Sequence, residues 1–80
     1  MNTEEAKQQF GLLQTGLNVI SGVVAGYSDK EIGEHFNLGE STVKHFLFTS
    51  YEKLGVSSRE ELRRFAIDHE LPLSKLPPKP

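Results

Sequence analysis

The sequence predicts a small all-α domain in which four helices pack as a bundle. Apolar residues recur with a helical period of about 3.6, and no segment alternates as a strand would. Two Ser-x-x-Glu patterns have the form of capping boxes, which mark helix N-termini. A chain of 80 residues supports a single domain with a compact core.

The composition is that of a folded protein, and it excludes several classes of protein. Apolar residues make up 36% and charged residues 25%, which is not the balance of a disordered chain. The absence of cysteine excludes a disulfide-stapled scaffold and a thiolate zinc site. No apolar run approaches the ~18 residues of a membrane span, and no signal peptide is visible. We therefore expect a cytoplasmic protein with no membrane partner.

The first predicted helix covers about residues 15–25, and Gly26 follows it where a left-handed C-cap is expected. One apolar stripe runs through this segment: Phe10, Leu13, Leu17, Ile20 and Val24. Residues 1–14 are interpreted as an N-terminal extension, in which residues 3–10 form a second turn-forming segment or a frayed continuation.

The second and third predicted helices are separated by a turn of about four residues. Ser28 and Glu31 form the first capping box, and Ile32 and Phe36 give the following short helix a buried face. The third helix is predicted over residues 40–54. Its inward stripe consists of Val43, Phe46, Leu47, Ser50, Tyr51 and Leu54.

The last predicted helix begins at the second capping box, Ser58 and Glu61, and continues to about His69. Its inward residues are expected to be Leu62, Phe65, Ala66 and His69. The folded domain is thus placed at residues 15–70. Residues 71–80 contain all four prolines and are predicted to be an extended tail, which either only stops the helix or serves as a docking peptide.

Two helices joined by a short turn, the second opening with Ser, Thr and Lys, form a helix-turn-helix pattern. A helix of this length can lie in a major groove, and its N-terminus attracts phosphate. Residues 41–64 carry five basic and three acidic side chains, whereas residues 1–40 carry two basic and six acidic ones. This charge distribution is compatible with an anion-facing element and equally with a solvated mixed surface.

Three runs carry a family resemblance: GYSDKEI at 26–32, TVK at 42–44 and YEKLGVSSREEL at 51–62. Together they resemble the LuxR/FixJ/NarL/GerE-type helix-turn-helix family over about residues 12–67. The resemblance implies a four-helix output domain of a response regulator that acts in transcription regulation. It also implies a homodimer formed through the last helix and bound to promoter or operator DNA.

The resemblance implies that residues 40–54 form the recognition helix. Thr42 and Lys53 would contact phosphate, and Lys44 and His45 would read bases. The full set of expected DNA-binding residues is Ser41, Thr42, Lys44, His45, Phe48 and Lys53. The expected dimer interface is Arg59, Arg63, Ile67 and Glu70, with a solvated helix face as the alternative.

Near positions 48 and 52 the family commonly has small, polar or basic residues, whereas this chain has Phe48 and Glu52. Phe48 is expected first to pack at the core edge, second to contact a protein and third to contact a thymine methyl group. Glu52 is expected to be solvated, or to accept a hydrogen bond from cytosine. These two residues support a second hypothesis, a protein-interaction module on the same fold that binds RNA polymerase or a regulator.

Metal binding and catalysis find no support in the sequence. His35, His45 and His69 fall on three different predicted helices, and no HExxH motif is present. No nucleophile elbow or phosphate-cradling glycine loop occurs either. We expect no metal site, no cofactor and no enzymatic activity.

Overall fold

The structure, a computed structural model, describes residues 1–79 and confirms the all-α prediction. Within those residues the chain forms helices and no strand. The helices are α1 (Thr3–Phe10), α2 (Gln14–Val24), α3 (Asp29–Phe36), α4 (Glu40–Leu54) and α5 (Arg59–Asp68). α2 to α5 are the four helices predicted for the domain, and α1 is a further helix in the predicted N-terminal extension.

α1 is a packed element of the domain and not a frayed extension. The Asn2 side chain caps it by accepting a hydrogen bond from Glu5 N at 2.8 Å. Ala6 is completely buried, and the Phe10 ring meets the ring of Phe65 edge-on at 5.4 Å. An isolated helix of eight residues is marginal in water, so tertiary packing holds α1 in place.

α2 is the central helix of the fold and contacts α3, α4 and α5. Its buried residues are Gly16, Leu17, Val19, Ile20, Ser21, Gly22 and Val23. Gly22 faces Ile32 of α3, which is completely buried. A Cβ atom at Gly22 would overlap Ile32 Cγ1 and lie 2.9 Å from Cδ1. The missing side chain therefore lets α3 approach the backbone of α2.

The turn between α3 and α4 also depends on a close backbone approach. Asn37 ends α3 in the left-handed region at φ 58°, and Leu38 N donates to Gly33 O at 2.7 Å. A Cβ atom at Gly33 would lie 2.5 Å from Leu38 O, so only glycine fits without a shift. This tight turn holds the two helices of the helix-turn-helix together.

The first predicted capping box forms completely and the second only in part. Ser28 Oγ accepts from Glu31 N, and Glu31 Oε1 accepts from Ser28 N at 2.9 Å. Ser58 Oγ accepts from Glu61 N at 3.1 Å. The Glu61 carboxylate, however, accepts from Ser57 N at 2.7 Å and not from Ser58 N. The second predicted capping box is therefore wrong in part: Ser58 caps the helix, but the Glu61 carboxylate does not complete the box.

The inward stripe of α4 is confirmed, whereas the inward placement of His69 is wrong. Val43, Leu47, Ser50 and Leu54 are buried, and Phe46 and Tyr51 are partly buried. The buried Ser50 hydroxyl donates to Phe46 O at 2.7 Å, so its polar atom is satisfied. His69 lies beyond the end of α5 and is exposed, with its ring stacked on Phe65 at 3.8 Å.

The proline-rich tail is irregular, as predicted, and it folds back onto the domain. Glu70 reverses the chain in the left-handed region at φ 49°, and Leu71 is buried. Backbone and side-chain hydrogen bonds then fix the tail along α2 and the connection between α2 and α3. They are Ser74 N to Ser21 Oγ, Ser74 Oγ to Asn18 Oδ1, Tyr27 Oη to Pro77 O and Lys79 N to Ala25 O.

Candidate nucleic-acid interface

α4 has one face in the core and the opposite face in solvent. Its exposed outward residues follow the spacing of three and four that places side chains on one side of a helix. They are Ser41, Lys44, His45, Phe48 and Glu52. The structure therefore brings together four of the six residues that the sequence predicted to bind DNA.

Lys44 projects from the first half of this face. Its ammonium pairs with Glu40 Oε2 at 3.5 Å, and the two side chains are 63% and 51% exposed. Exposed pairs of this kind are worth less than about 1 kcal/mol. The ammonium can therefore exchange its partner for an external anion at little cost. Glu40 was not singled out from the sequence, although its i,i+4 spacing from Lys44 is the signal for this pair.

Phe48 stands at the middle of the outward face and is 65% exposed. It does not belong to the core or to the partly buried residues packed against it. The expectation that Phe48 packs at the core edge is therefore wrong. The reason is its position in α4, where it follows the solvent-facing Lys44 by one turn.

The N-terminus of α4 lacks a side-chain cap. Gly39 occupies the N-cap position, where no side chain hydrogen bonds to the first N–H groups of the helix. Asn2, Ser28 and Ser58 cap α1, α3 and α5, whereas α2, like α4, has no side-chain cap. The exposed Thr42 lies beside this end, since a Cβ atom at Gly39 would be 3.9 Å from Thr42 Oγ1. Uncapped N–H groups are available to water or to an anion.

Lys53 lies apart from the outward face. It follows Lys44 by nine residues, which places the two side chains on opposite sides of α4. Lys53 Nζ donates to Gly11 O at 2.7 Å and so ties the end of α4 to the connection after α1.

The predicted dimer residues do not all lie on the outer face of α5. Arg59 turns inward to the start of α3, where Nη1 contacts Asp29 Oδ1 at 2.7 Å and Nη2 donates to Tyr27 O at 2.6 Å. Arg59 is thus engaged with the start of α3, and its side chain remains 40% exposed. Arg63 is exposed beside Ile67, which is itself 49% exposed. The fourth residue, Glu70, follows the helix in the chain reversal.

Residues 1–79 form no group of three side chains able to hold a metal ion and enclose no pocket. None of the helices in this range is long and apolar enough to cross a membrane.

One comparison with known proteins gives a match. The model of the family described as bacterial regulatory proteins, luxR family, matches residues 12–66. No curated protein and no solved structure matches the chain. The matched range begins after α1 and includes α2, α3, α4 and most of α5. The chain therefore belongs to the luxR family of bacterial regulatory proteins and has the family's helix-turn-helix domain, which is of the DNA-binding, transcription-regulating type.

Proposed function

We propose that the domain binds double-stranded DNA in a sequence-specific manner, with α4 in the major groove. The observation that carries this proposal is the outward face of α4, where Lys44 and His45 stand exposed beside an uncapped helix N-terminus. A major groove is about 12 Å wide and admits one α-helix. The other side of α4 is occupied by the core, so this face is the one that can enter.

The roles of the side chains follow from their chemistry and place on α4. The first N–H groups of the helix and the Thr42 hydroxyl would contact phosphate and fix the orientation of the helix. Lys44 would donate to the acceptors O6 and N7 of a guanine, and His45 would contact a neighbouring base. Ser41 lies on the same face, one turn before His45. Lys53 already donates one N–H to Gly11 O, so we assign it chiefly to this internal contact.

We further propose that two copies associate through the outer face of α5, around Ile67 and Arg63. Ile67 is an apolar side chain exposed among charged ones on this helix. A two-fold dimer would place two α4 helices in successive major grooves about 34 Å apart, on an operator with an inverted repeat. Regulation of transcription in the cytoplasm, with RNA polymerase as a further partner, would follow from such binding.

The test is a titration of the whole chain against a pool of random duplex DNA over a series of salt concentrations, with sequencing of the bound duplexes. We expect affinity to fall steeply with salt, because each neutralised phosphate releases counterions. We also expect an inverted repeat to be enriched. A folded, helical sample that binds no duplex even at low salt would overturn the proposal.

A second candidate function is a protein-interaction module, and the exposure of Phe48 is the observation that favours it. In that case an apolar contact would form that is insensitive to salt, unlike DNA binding. Glu52 on the same face would then repel DNA. The salt series separates the two functions directly.

A further inference from the structure

The outward face of α4 has an unusual composition for a surface that enters a DNA groove. Its central side chain, Phe48, is 65% exposed, while the other members of the face are polar or charged. Lys44 lies one turn before it and Glu52 one turn after it. A phenyl ring in water gains free energy from any apolar surface that covers it.

A major groove offers one kind of apolar group. Guanine, cytosine and adenine present hydrogen-bond donors and acceptors at this edge, whereas thymine also presents its C5-methyl group. A phenyl ring placed against the other three bases would cover polar atoms without replacing their hydrogen bonds, which is unfavourable. Only thymine gives Phe48 an apolar partner.

We propose that Phe48 is a specificity-determining residue that selects thymine by packing on its C5-methyl group. The inference rests on the proposed function, because it requires α4 to lie in the major groove. Phe48 follows Lys44 by one helical turn, a rise of about 6 Å, so the two side chains reach different base pairs. Base pairs are spaced by about 3.4 Å, so the selected thymine lies one or two base pairs from the base that Lys44 contacts, and each half-site contains one.

A protein partner explains the outward face less well. The fully buried centre of a protein interface is apolar over a continuous area and depleted of charged residues. On α4, by contrast, Phe48 is the one large apolar side chain that is exposed, and Lys44, His45 and Glu52 surround it. The outward face of α4 thus presents one apolar ring surrounded by polar and charged side chains. This arrangement is complementary to a thymine, whose single methyl group is surrounded by the polar edges of the bases.

The test uses the whole chain and the duplex enriched from the random pool. Each thymine is replaced in turn by deoxyuridine, which removes only the C5-methyl group. In each half-site we expect one thymine at which the replacement weakens binding about fourfold. This is the change in affinity that corresponds to the burial of one methyl group. Cytosine at that position should bind more weakly than 5-methylcytosine, because the latter restores the methyl group.

The protein variants Phe48→Ala and Phe48→Leu assign the effect to this side chain. Phe48→Ala should bind the thymine and deoxyuridine duplexes equally, whereas Phe48→Leu keeps an apolar group and should retain a preference for thymine. Since Phe48 is exposed, both variants should unfold at the same temperature as the parent chain. That measurement separates a binding effect from misfolding.

The outcomes that contradict the inference differ from those that contradict DNA binding. A chain that binds duplex tightly but shows no methyl effect dependent on Phe48 overturns the thymine contact and leaves the proposed function standing. Enrichment of a site without thymine does the same. A chain that binds no duplex at all overturns both, and salt-insensitive capture of a protein through Phe48 would then identify the other class of partner.

Discussion

α2 and α4 pack against each other, yet they lie in different environments. α2 has no charged residue, and seven of its eleven residues are buried, so it contacts other parts of the protein on nearly every side. The tail covers the side that the other helices leave open, through Ser21 and Asn18. In α4 only four of fifteen residues are buried, and a whole face remains in solvent.

From this difference we infer that α2 contributes chiefly to the stability of the domain and α4 chiefly to binding. Substitutions in α2 should change the free energy of unfolding, because every buried face contributes to packing. Substitutions on the outward face of α4 should leave unfolding unchanged and affect binding. Substitutions at Gly22, Lys44, Arg59 and Glu52 test this division.

Replacing Gly22 by alanine should lower the free energy of unfolding by about 1–3 kcal/mol, because the new methyl group overlaps the buried side chain of Ile32. Chemical denaturation monitored by circular dichroism measures the effect. The matched control is Gly16→Ala in the same helix, where the nearest atom, Phe46 Cδ1, is 3.8 Å from the new Cβ. That variant should be neutral, or more stable by up to about 1 kcal/mol. Equal effects of the two would show that α2 does not depend on close packing at Gly22.

Replacing Lys44 by alanine should weaken DNA binding about tenfold, since a specific base contact is worth roughly 1–3 kcal/mol. The thermal unfolding temperature should not change, because the pair with Glu40 is exposed. Lys7→Ala on α1 removes the same charge away from the α4 face and serves as the control. If both variants bind alike, the outward face of α4 does not contact DNA.

Replacing Arg59 by alanine should destabilise the domain by about 1 kcal/mol through loss of the contacts to Asp29 and Tyr27 O. Arg63→Ala, which removes an exposed charge from the same helix, should have almost no effect on unfolding.

Analytical ultracentrifugation then tests the proposed dimer surface: Arg63→Ala and Ile67→Ala should weaken self-association. If Arg59→Ala instead leaves stability unchanged and abolishes self-association, Arg59 belongs to the dimer interface after all.

Replacing Glu52 by glutamine should strengthen DNA binding by a few-fold, because it removes a like charge from the face that approaches phosphate. The gain should shrink as salt is raised, since the repulsion is screened. Glu5→Gln on α1 removes an equivalent charge from another part of the surface and should change affinity less. A loss of affinity at one particular base would instead indicate that Glu52 accepts a hydrogen bond from cytosine.

Much of the fold follows from short-range signals in the sequence. The bounds of α3 and α4 were predictable because Ser28, Asn37, Gly39 and Gly55 act on backbone groups a few residues away. The outward face of α4 was predictable for the same reason, since helical spacing alone groups Lys44, His45 and Phe48. The family range contains all of these signals.

The elements outside the family range were harder to predict. α1 and residues 71–79 are too short, or too rich in proline, to be stable by themselves, and both are held by distant partners. Phe10 meets Phe65 and His69, and Lys79 pairs with Glu31. None of these pairs has a regular spacing that sequence periodicity could reveal.

The sequence by itself therefore determined the all-α class, the helix-turn-helix and the outward face of α4. Only the tertiary structure decided which partners the long side chains of Lys53 and Arg59 contact. Lys53 donates to a carbonyl group 42 positions away, and Arg59 pairs with a carboxylate 30 positions away. A long flexible side chain can reach many partners, and the one it takes depends on which helices the fold brings beside it. Helix caps and periodicity are local, whereas these contacts exist only after the chain has folded.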